Sequence, residues 1–223
     1  MRIAVIIPTR GDRKELLDNC LRMLANQTIQ PIGIGIIDYE PKDSNKDITT
    51  RYKKGYNGVD PNYINIIAFI EDDDYYAPDY LETMVREWLR AGQPDIIGTG
   101  STIYYHLKLK KYFTLTHPRR ASAMNTLIKP NLSFPWCEDN YAFTDLHLWN
   151  LTVETALQKP ILKGHIFNPE KIISIGMKHG VGLTGGRCHI DRLERYNVDD
   201  SESKFLLENC DKESFEFYSN YFK

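Results

Sequence analysis

The stretch INIIAFIEDDDYYAPDYLETMVREWL, residues 64–89, decides the fold. Its first seven residues, Ile64 to Ile70, are apolar almost throughout and read as a strand buried on both faces, the mark of a central strand in a parallel sheet. The strand stops abruptly at Glu71-Asp72-Asp73-Asp74. Pro78 then suits the first turn of a helix that carries Leu81, Met84, Val85, Trp88 and Leu89 on one face and is closed by Gly92. Open α/β sheets bind ligands beyond the carboxyl ends of their strands, which is where these acids stand. Four adjacent carboxylates repel one another and invite a divalent cation, and hard oxygen donors suit Mg²⁺ or Mn²⁺. Such a cation would hold a diphosphate. The alternative is an acidic turn that complements the N-terminus of the following helix.

The same pattern extends toward the N-terminus. Ile3 to Ile7 reads as a short buried strand, and Asp12 stands three residues before Glu15 as in a capping box. Leu16, Leu17, Cys20, Leu21 and Leu24 follow at helical spacing, and Ile32 to Ile37 forms a second strand ending on Asp38. This β-α-β unit predicts parallel strands with a right-handed crossover. Residues 39–60 are polar, with a helix expected near Asp47–Tyr56, and a fourth strand begins at 95–98. From 101 to 115 the pattern alternates with period two, which predicts an antiparallel pair. Thr144 or Asp145 can cap a helix bearing Leu146, Trp149, Val153, Ala156 and Leu157. Strands are expected near 161–166 and 171–175, then a Gly-rich loop and a charged tail ending in FEFYSNYF. There is no internal repeat and no linker. The expectation is an α/β chain forming one domain over 1–223, its parallel half (1–100) and its antiparallel half (101–223) sharing one sheet.

Composition sets the outer bounds. The 223 residues carry 28 Lys plus Arg against 30 Asp plus Glu, a net charge of −2, which argues against a nucleic-acid or membrane-surface partner. With 42% hydrophobic and 26% charged residues the chain buries a real core, so disorder, collagen and coiled coil are excluded. No stretch approaches a membrane span, and the N-terminal apolar run is too short for a secretory signal; a cytoplasmic protein is expected. The cysteines at 20, 137, 188 and 210 form no CxxC, so reduced thiols and no structural zinc are expected.

Three segments, IAVIIPTRGDRKELLDNCLRMLANQT (3–28), IGIIDYE (34–40) and AFIEDDDYYAPDYLETMV (68–85), together resemble the nucleotide-diphospho-sugar glycosyltransferases of the GT-A fold, in particular the group of bacterial and viral polysaccharide glycosyltransferases. The resemblance covers about residues 1–100 well and the rest loosely. It implies a mostly parallel central sheet flanked by helices, with a small antiparallel part in the C-terminal half, and a nucleotide-binding half followed by an acceptor-side half. It further implies that Pro8, Thr9 and Arg10 contact the nucleoside, that Asp38 reads the base, and that Asp72, Asp73 and Asp74 form the DxD motif. In that motif Asp72 and Asp73 meet the sugar nucleotide, and Asp72 and Asp74 hold Mn²⁺ or Mg²⁺. The chain departs from the family in having Tyr39-Glu40-Pro41 where a second Asp and Gly-Ser usually follow Asp38, and in its short connection from Asp38 to Asp72.

Two further segments carry chemistry. In PWCEDNYAFTDLHLW (135–149), Asp145-Leu146-His147-Leu148-Trp149 matches the acid that in this family opens a helix and acts as general base. An inverting transferase needs one carboxylate to accept the acceptor proton. Asp145 is the first choice, with Glu138 and Asp139 as competitors, and a plain helix cap is the alternative. In the segment 178–189, Lys178 and Arg187 can neutralise a leaving diphosphate, and His179, with His189 second, resembles the late histidine that supplies a metal or phosphate contact. Arg119 and Arg120 can touch donor or acceptor; Trp136 suits a sugar ring, whereas Trp149 has the phase of a core residue. The reading is a metal-dependent glycosyltransferase that moves a sugar, UDP-sugar by default, to a hydroxyl on a glycan, glycoprotein or lipid-linked acceptor with inversion. The alternatives are a retaining transferase, a sugar-nucleotide nucleotidyltransferase and an inactive binding module.

Overall fold

The computed structural model describes residues 1–11, 13–38, 47–141, 143–154, 159–180 and 193–221. The chain opens with β1 (Ile3–Pro8), buried along its whole length, then α1 (Lys14–Ala25) and β2 (Gly33–Ile37). Next come α2 (Ile48–Asn57), β3 (Ile66–Phe69), β4 (Tyr75–Tyr76) and α3 (Tyr80–Arg90). Strands β5 (Ile96–Thr99), β6 (Ser101–His106), β7 (Lys111–Thr116) and β8 (Thr126–Ile128) precede α4 (Thr144–Asn150). The chain continues through β9 (Gly164–Phe167), β10 (Ser174–Lys178) and β11 (Val198–Asp199) to α5 (Lys204–Asn209) and α6 (Lys212–Asn220).

The main sheet has the order β2-β1-β3-β8-β5-β9. β1 runs parallel to both β2 and β3, and β5 runs parallel to β9, while the short β8 between β3 and β5 is antiparallel to each. This is the mostly parallel, helix-flanked α/β sheet that the βαβ pattern predicts. The expected antiparallel pair, β6 and β7, does not join it. Together with β11, β10 and β4 it forms a second sheet, β11-β7-β6-β10-β4, which corrects the expectation of one shared sheet. The physical reason lies in β4, a two-residue strand directly after the acidic run, which pairs with β10 rather than with β3's neighbours. The two sheets therefore meet at residues 71–74.

β2 lies at the sheet edge, with Ile34 and Ile36 on the surface. α4 ends at Asn150, short of the expected Val153, and 155–158 lie outside the described residues, as do Asp12, Arg187 and His189.

Helix placement follows from apolar periodicity. α1 turns Leu16, Cys20, Met23 and Leu24 onto the face of the sheet bearing Ile3, Val5 and Ile7. On the opposite face, α2 packs so closely against β1 that a Cβ at Gly55 would lie 2.5 Å from Ile6 Cγ2. That close approach brings Arg51, one turn earlier on the helix, beneath the carboxyl ends of β1 and β2. α6 packs against α1 through Arg22, which reaches Asp211 at 3.3 Å, Glu213 at 2.8 Å and Ser214 Oγ at 2.6 Å. Its end carries Tyr221 to within 6.1 Å, ring to ring, of His179. Among the described residues no helix is long and apolar enough to cross a membrane.

Candidate functional site

Strand β3 ends at the carboxyl edge of the main sheet, and the next four residues form its acidic tip. Asp72, Asp73 and Asp74 are all buried, the last completely. Buried carboxylates demand partners, and each of these has a different set. Asp72 accepts from Thr9 Oγ1 at 2.6 Å and from Arg13 Nη2 at 2.7 Å, so both its oxygens are engaged. Asp73 Oδ2 accepts from Arg13 Nη1 at 2.7 Å and lies 2.8 Å from His179 Nε2. Asp74 Oδ1 accepts from the backbone amide of Met177 at 2.8 Å, while its Oδ2 has no hydrogen-bond partner among the described residues. The amide of Glu71 donates to Tyr76 Oη at 2.8 Å, which fixes the turn.

Electrostatics follow from this partition. Burial, then the charge of Asp73, pushes Glu71 up to about 7 and Asp72 up to about 6. Burial likewise pushes Asp74 well above the usual carboxylate range. The same burial acts on Asp73, but Arg13, His179 and Lys178 outweigh it and hold this carboxyl well below its ordinary value. Lys178, the last residue of β10, is itself buried, with its ammonium 5.1 Å from the centre of the Tyr104 ring. It lowers Glu71, Asp73 and Asp74 alike and is the fixed cation of the site.

One ligand atom each from Glu71, Asp73 and Asp74 lie within 4.8 Å of one another. Three carboxylate oxygens at that spacing fit a hard divalent cation. Asp72 is not in this trio, and Thr9 and Arg13 engage both its oxygens. His179 stands behind it, with Nε2 against Asp73.

The remaining expected residues fall into three groups. Pro8 pairs with Ile37 at the end of β1, and Thr9 is buried beside the tip, while Arg10 is half-buried and Asp38 lies exposed just beyond β2. On the other side, Asp145 sits in the first turn of α4, 3.6 Å from Arg120 Nη1. Burial raises its pKa, with Arg120 opposing, and its charge is felt by Glu71. The competitors for the role of base are engaged elsewhere. Asp139 accepts from the Thr50 amide at 2.9 Å and from the Thr50 hydroxyl, and so closes the first turn of α2. Glu138 is exposed and accepts from Asn140 Nδ2 at 3.2 Å. Trp149 is core, as its phase predicts, and Trp136 packs edge-on to Tyr56 with centroids 5.6 Å apart.

Three participants escaped the reading of the sequence. Arg13 bridges Asp72 and Asp73. Arg51, 1% exposed, donates to the carbonyl oxygens of Thr9 and Ile37 (the latter at 3.0 Å) and pairs with Asp47 at 2.8 Å, so it ties together the two loops at the carboxyl edge. Tyr52 is buried with its hydroxyl unpartnered among the described residues, and after burial the charge of Glu71 acts on it most strongly. The available signal was charge balance: a buried run of acids requires buried cations, and Arg13 lies in the loop that leaves the neighbouring strand.

No family model matches the chain. A Bacillus subtilis (strain 168) protein named "Putative glycosyltransferase EpsH" is 33% identical over 85 residues, covering 30% of this chain and 25% of that protein. The crystal structure of S. aureus TarS 1-349 in complex with UDP-GlcNAc superposes with a TM-score of 0.54 at 12% identity, covering 83% of this chain and 60% of that one. The chain therefore shares the mixed α/β fold of that glycosyltransferase structure, a mostly parallel sheet flanked by helices. A longer S. aureus TarS structure gives 0.50 at 8% identity over 79% of this chain and 37% of that one. The chain thus spans about a quarter of EpsH's length and 60% of the TarS fragment's.

Proposed function

We propose that this chain is a metal-dependent, inverting glycosyltransferase that transfers a sugar from a nucleoside diphosphate sugar, by default a UDP-sugar, to a hydroxyl of a glycan, glycoprotein or lipid-linked acceptor. Residues 1–100 would form the donor half and 101–223 the acceptor side of one catalytic domain, in the cytoplasm. The observation that carries the reading is the trio Glu71, Asp73 and Asp74 within 4.8 Å at the carboxyl edge of a parallel sheet, beside the Thr9–Asp72 hydrogen bond and within reach of the charges of Lys178 and Asp145. The TarS likeness supports it, since that structure holds UDP-GlcNAc.

In this reading Mn²⁺ or Mg²⁺ held by the trio supplies, when bound, neutralisation of the diphosphate. Pro8, Thr9 and Arg10 line the nucleoside, with Asp38 toward the base. Lys178 adds a fixed positive charge near the leaving group, and Arg187, outside the described residues, would add a second. Asp145 accepts the proton of the acceptor hydroxyl. The acceptor oxygen bonds to the anomeric carbon as the bond from that carbon to the phosphate oxygen breaks, and the electron pair leaves with the diphosphate, which inverts the centre. A carboxylate whose pKa is raised by burial is the stronger base for this step.

The test is a panel of UDP-, GDP- and dTDP-sugars, read as thermal midpoint and nucleotide release with Mn²⁺ and with excess EDTA. The expected result is one sugar nucleotide that raises the midpoint by mass action and is turned over only without chelator, giving a product of inverted anomeric configuration by NMR. A panel in which no sugar nucleotide shifts the midpoint, with or without Mn²⁺, would refute the proposal.

A further inference from the structure

Arg13 occupies an odd position for a salt-bridge residue. Its fork spans two neighbouring carboxylates, Nη2 on Asp72 Oδ1 and Nη1 on Asp73 Oδ2, both at 2.7 Å. Asp73, however, is one of the three residues whose oxygens converge within 4.8 Å. A guanidinium hydrogen-bonded to one member of such a trio repels a divalent cation entering it. One observation apart from the charge count supports a cation there all the same. Asp74 is 0% exposed, and its Oδ2 has no hydrogen-bond partner among the described residues.

The two cations of the site differ in how they are held. Lys178 is 3% exposed and packed on Tyr104, and it has nowhere to go. Arg13 is 15% exposed, at the solvent side of the tip, and follows a loop in which Gly11 takes a positive φ of 75°. Its planar fork is also the group best matched to a phosphate's paired oxygens.

We propose that Arg13 is an exchangeable counter-ion and a donor-binding residue. Without donor it neutralises Asp72 and Asp73. When a nucleoside diphosphate arrives, the fork turns to the diphosphate oxygens and releases Asp73 to the metal. Asp72, which never leaves Thr9, serves as the bracket from which Arg13 swings. No covalent bond changes; the Arg13–Asp73 pair is exchanged for a pair between Arg13 and the diphosphate and one between Asp73 and the metal. Metal and diphosphate binding are then positively coupled through Arg13, and by linkage each strengthens the other by the same factor. This inference rests on the metal and donor reading of the tip.

The experiment is Mn²⁺ titration followed by electron paramagnetic resonance of the free ion, on wild type, Arg13→Gln and Arg13→Lys, with and without UDP. Without UDP, Arg13→Gln is expected to bind Mn²⁺ about tenfold tighter than wild type, because one nearby positive charge is gone. UDP is expected to tighten Mn²⁺ strongly in wild type and about tenfold less in Arg13→Gln. Arg13→Lys, a point charge that cannot bridge both carboxylates, falls between the two, and it carries the test if Arg13→Gln fails to fold. Equal or weaker Mn²⁺ binding by both variants without UDP, in a wild type that does bind Mn²⁺, overturns the role of Arg13 and leaves the metal reading standing. A wild type that binds no Mn²⁺ even with UDP overturns the proposed function and this inference together.

Discussion

Two stretches of this chain are dense in carboxylates, and they behave as opposites. Residues 71–74 end a buried strand; residues 199–208 lie near the C-terminus and line an open cavity of about 430 Å³ with Asp199, Asp200, Glu202 and Glu208. In the second stretch every acid with a described contact is satisfied cheaply. Asp200 accepts from Tyr105 Oη and the Phe205 amide at 2.9 Å each, and Glu202 meets Lys204 at 2.6 Å with both side chains above 70% exposed. Asp199 is held below the usual carboxylate range by the Ser201 hydroxyl and amide. In the first stretch burial drives Glu71, Asp72 and Asp74 upward and leaves an oxygen without a partner among the described residues. Charge density in a sequence is therefore not what marks a site. The mark is charge taken out of water and left incompletely paired.

The sharpest way to break that contrast is to remove one acid from each stretch. Asp73→Asn is expected to cut turnover about a thousandfold, in line with the several kcal/mol that a bound metal supplies, and to abolish Mn²⁺ binding. Asp199→Asn is expected to leave both unchanged. Steady-state kinetics and metal titration check this, and a loss on the Asp199 side equal to that on the Asp73 side would remove the distinction.

The same contrast explains what the sequence made legible. The strand Ile66–Phe69, its acidic end and the helix after Pro78 are local patterns, since apolar run, charge run and helical period all lie in one window. The second sheet was not legible, because β4 finds β10 across about a hundred residues and only two residues of strand announce it. The edge position of β2 was hidden for a related reason: Ile32 to Ile37 is simply an apolar run in the sequence, and only the pairing order puts Ile34 and Ile36 at the border. Asp139 and Asp145 look alike as acids near a helix start, and what separates them is that Thr50, nearly ninety residues away, claims Asp139. Arg13 and Arg51 escaped because an ion pair is a fact of space, and neither loop nor helix context names the partner.

Arg51 extends the comparison to cations. It is 1% exposed and pairs with a nearly buried Asp47, whereas Lys14 and Asp18 pair with side chains 80% and 56% exposed. Arg51→Met would leave Asp47 uncompensated and two carbonyls without their donor, at a cost of about 3 kcal/mol. Lys14→Gln removes a solvated i,i+4 pair and is expected to cost about 0.5 kcal/mol or less. Denaturant unfolding measures both, and similar midpoints for the two variants would contradict the burial argument. Because Arg51 holds the Thr9 and Ile37 carbonyls together, any folded Arg51→Lys variant should show a raised donor KM.

Asp145 lies between the extremes, and it gives the smallest and most discriminating effect. Burial raises its pKa, and Arg120, at 3.6 Å, opposes that rise. A base must be ionised to act, so activity should fall as pH drops through this raised value. Arg120→Gln removes the opposing charge, lifts the pKa further and moves the acid limb of kcat/KM to higher pH. Stability runs the same way in sign. A carboxyl whose folded pKa exceeds its unfolded value favours the folded state below the ordinary carboxylate range, and that contribution is lost as pH rises through the folded value. Arg120→Gln should therefore extend the window over which stability declines with rising pH. If Asp145 only ends a helix, Arg120→Gln would still move the stability profile, but the acid limb of the rate would stay where it is. The two profiles measured on one variant thus separate a base from a cap, which neither helix position nor burial can do alone.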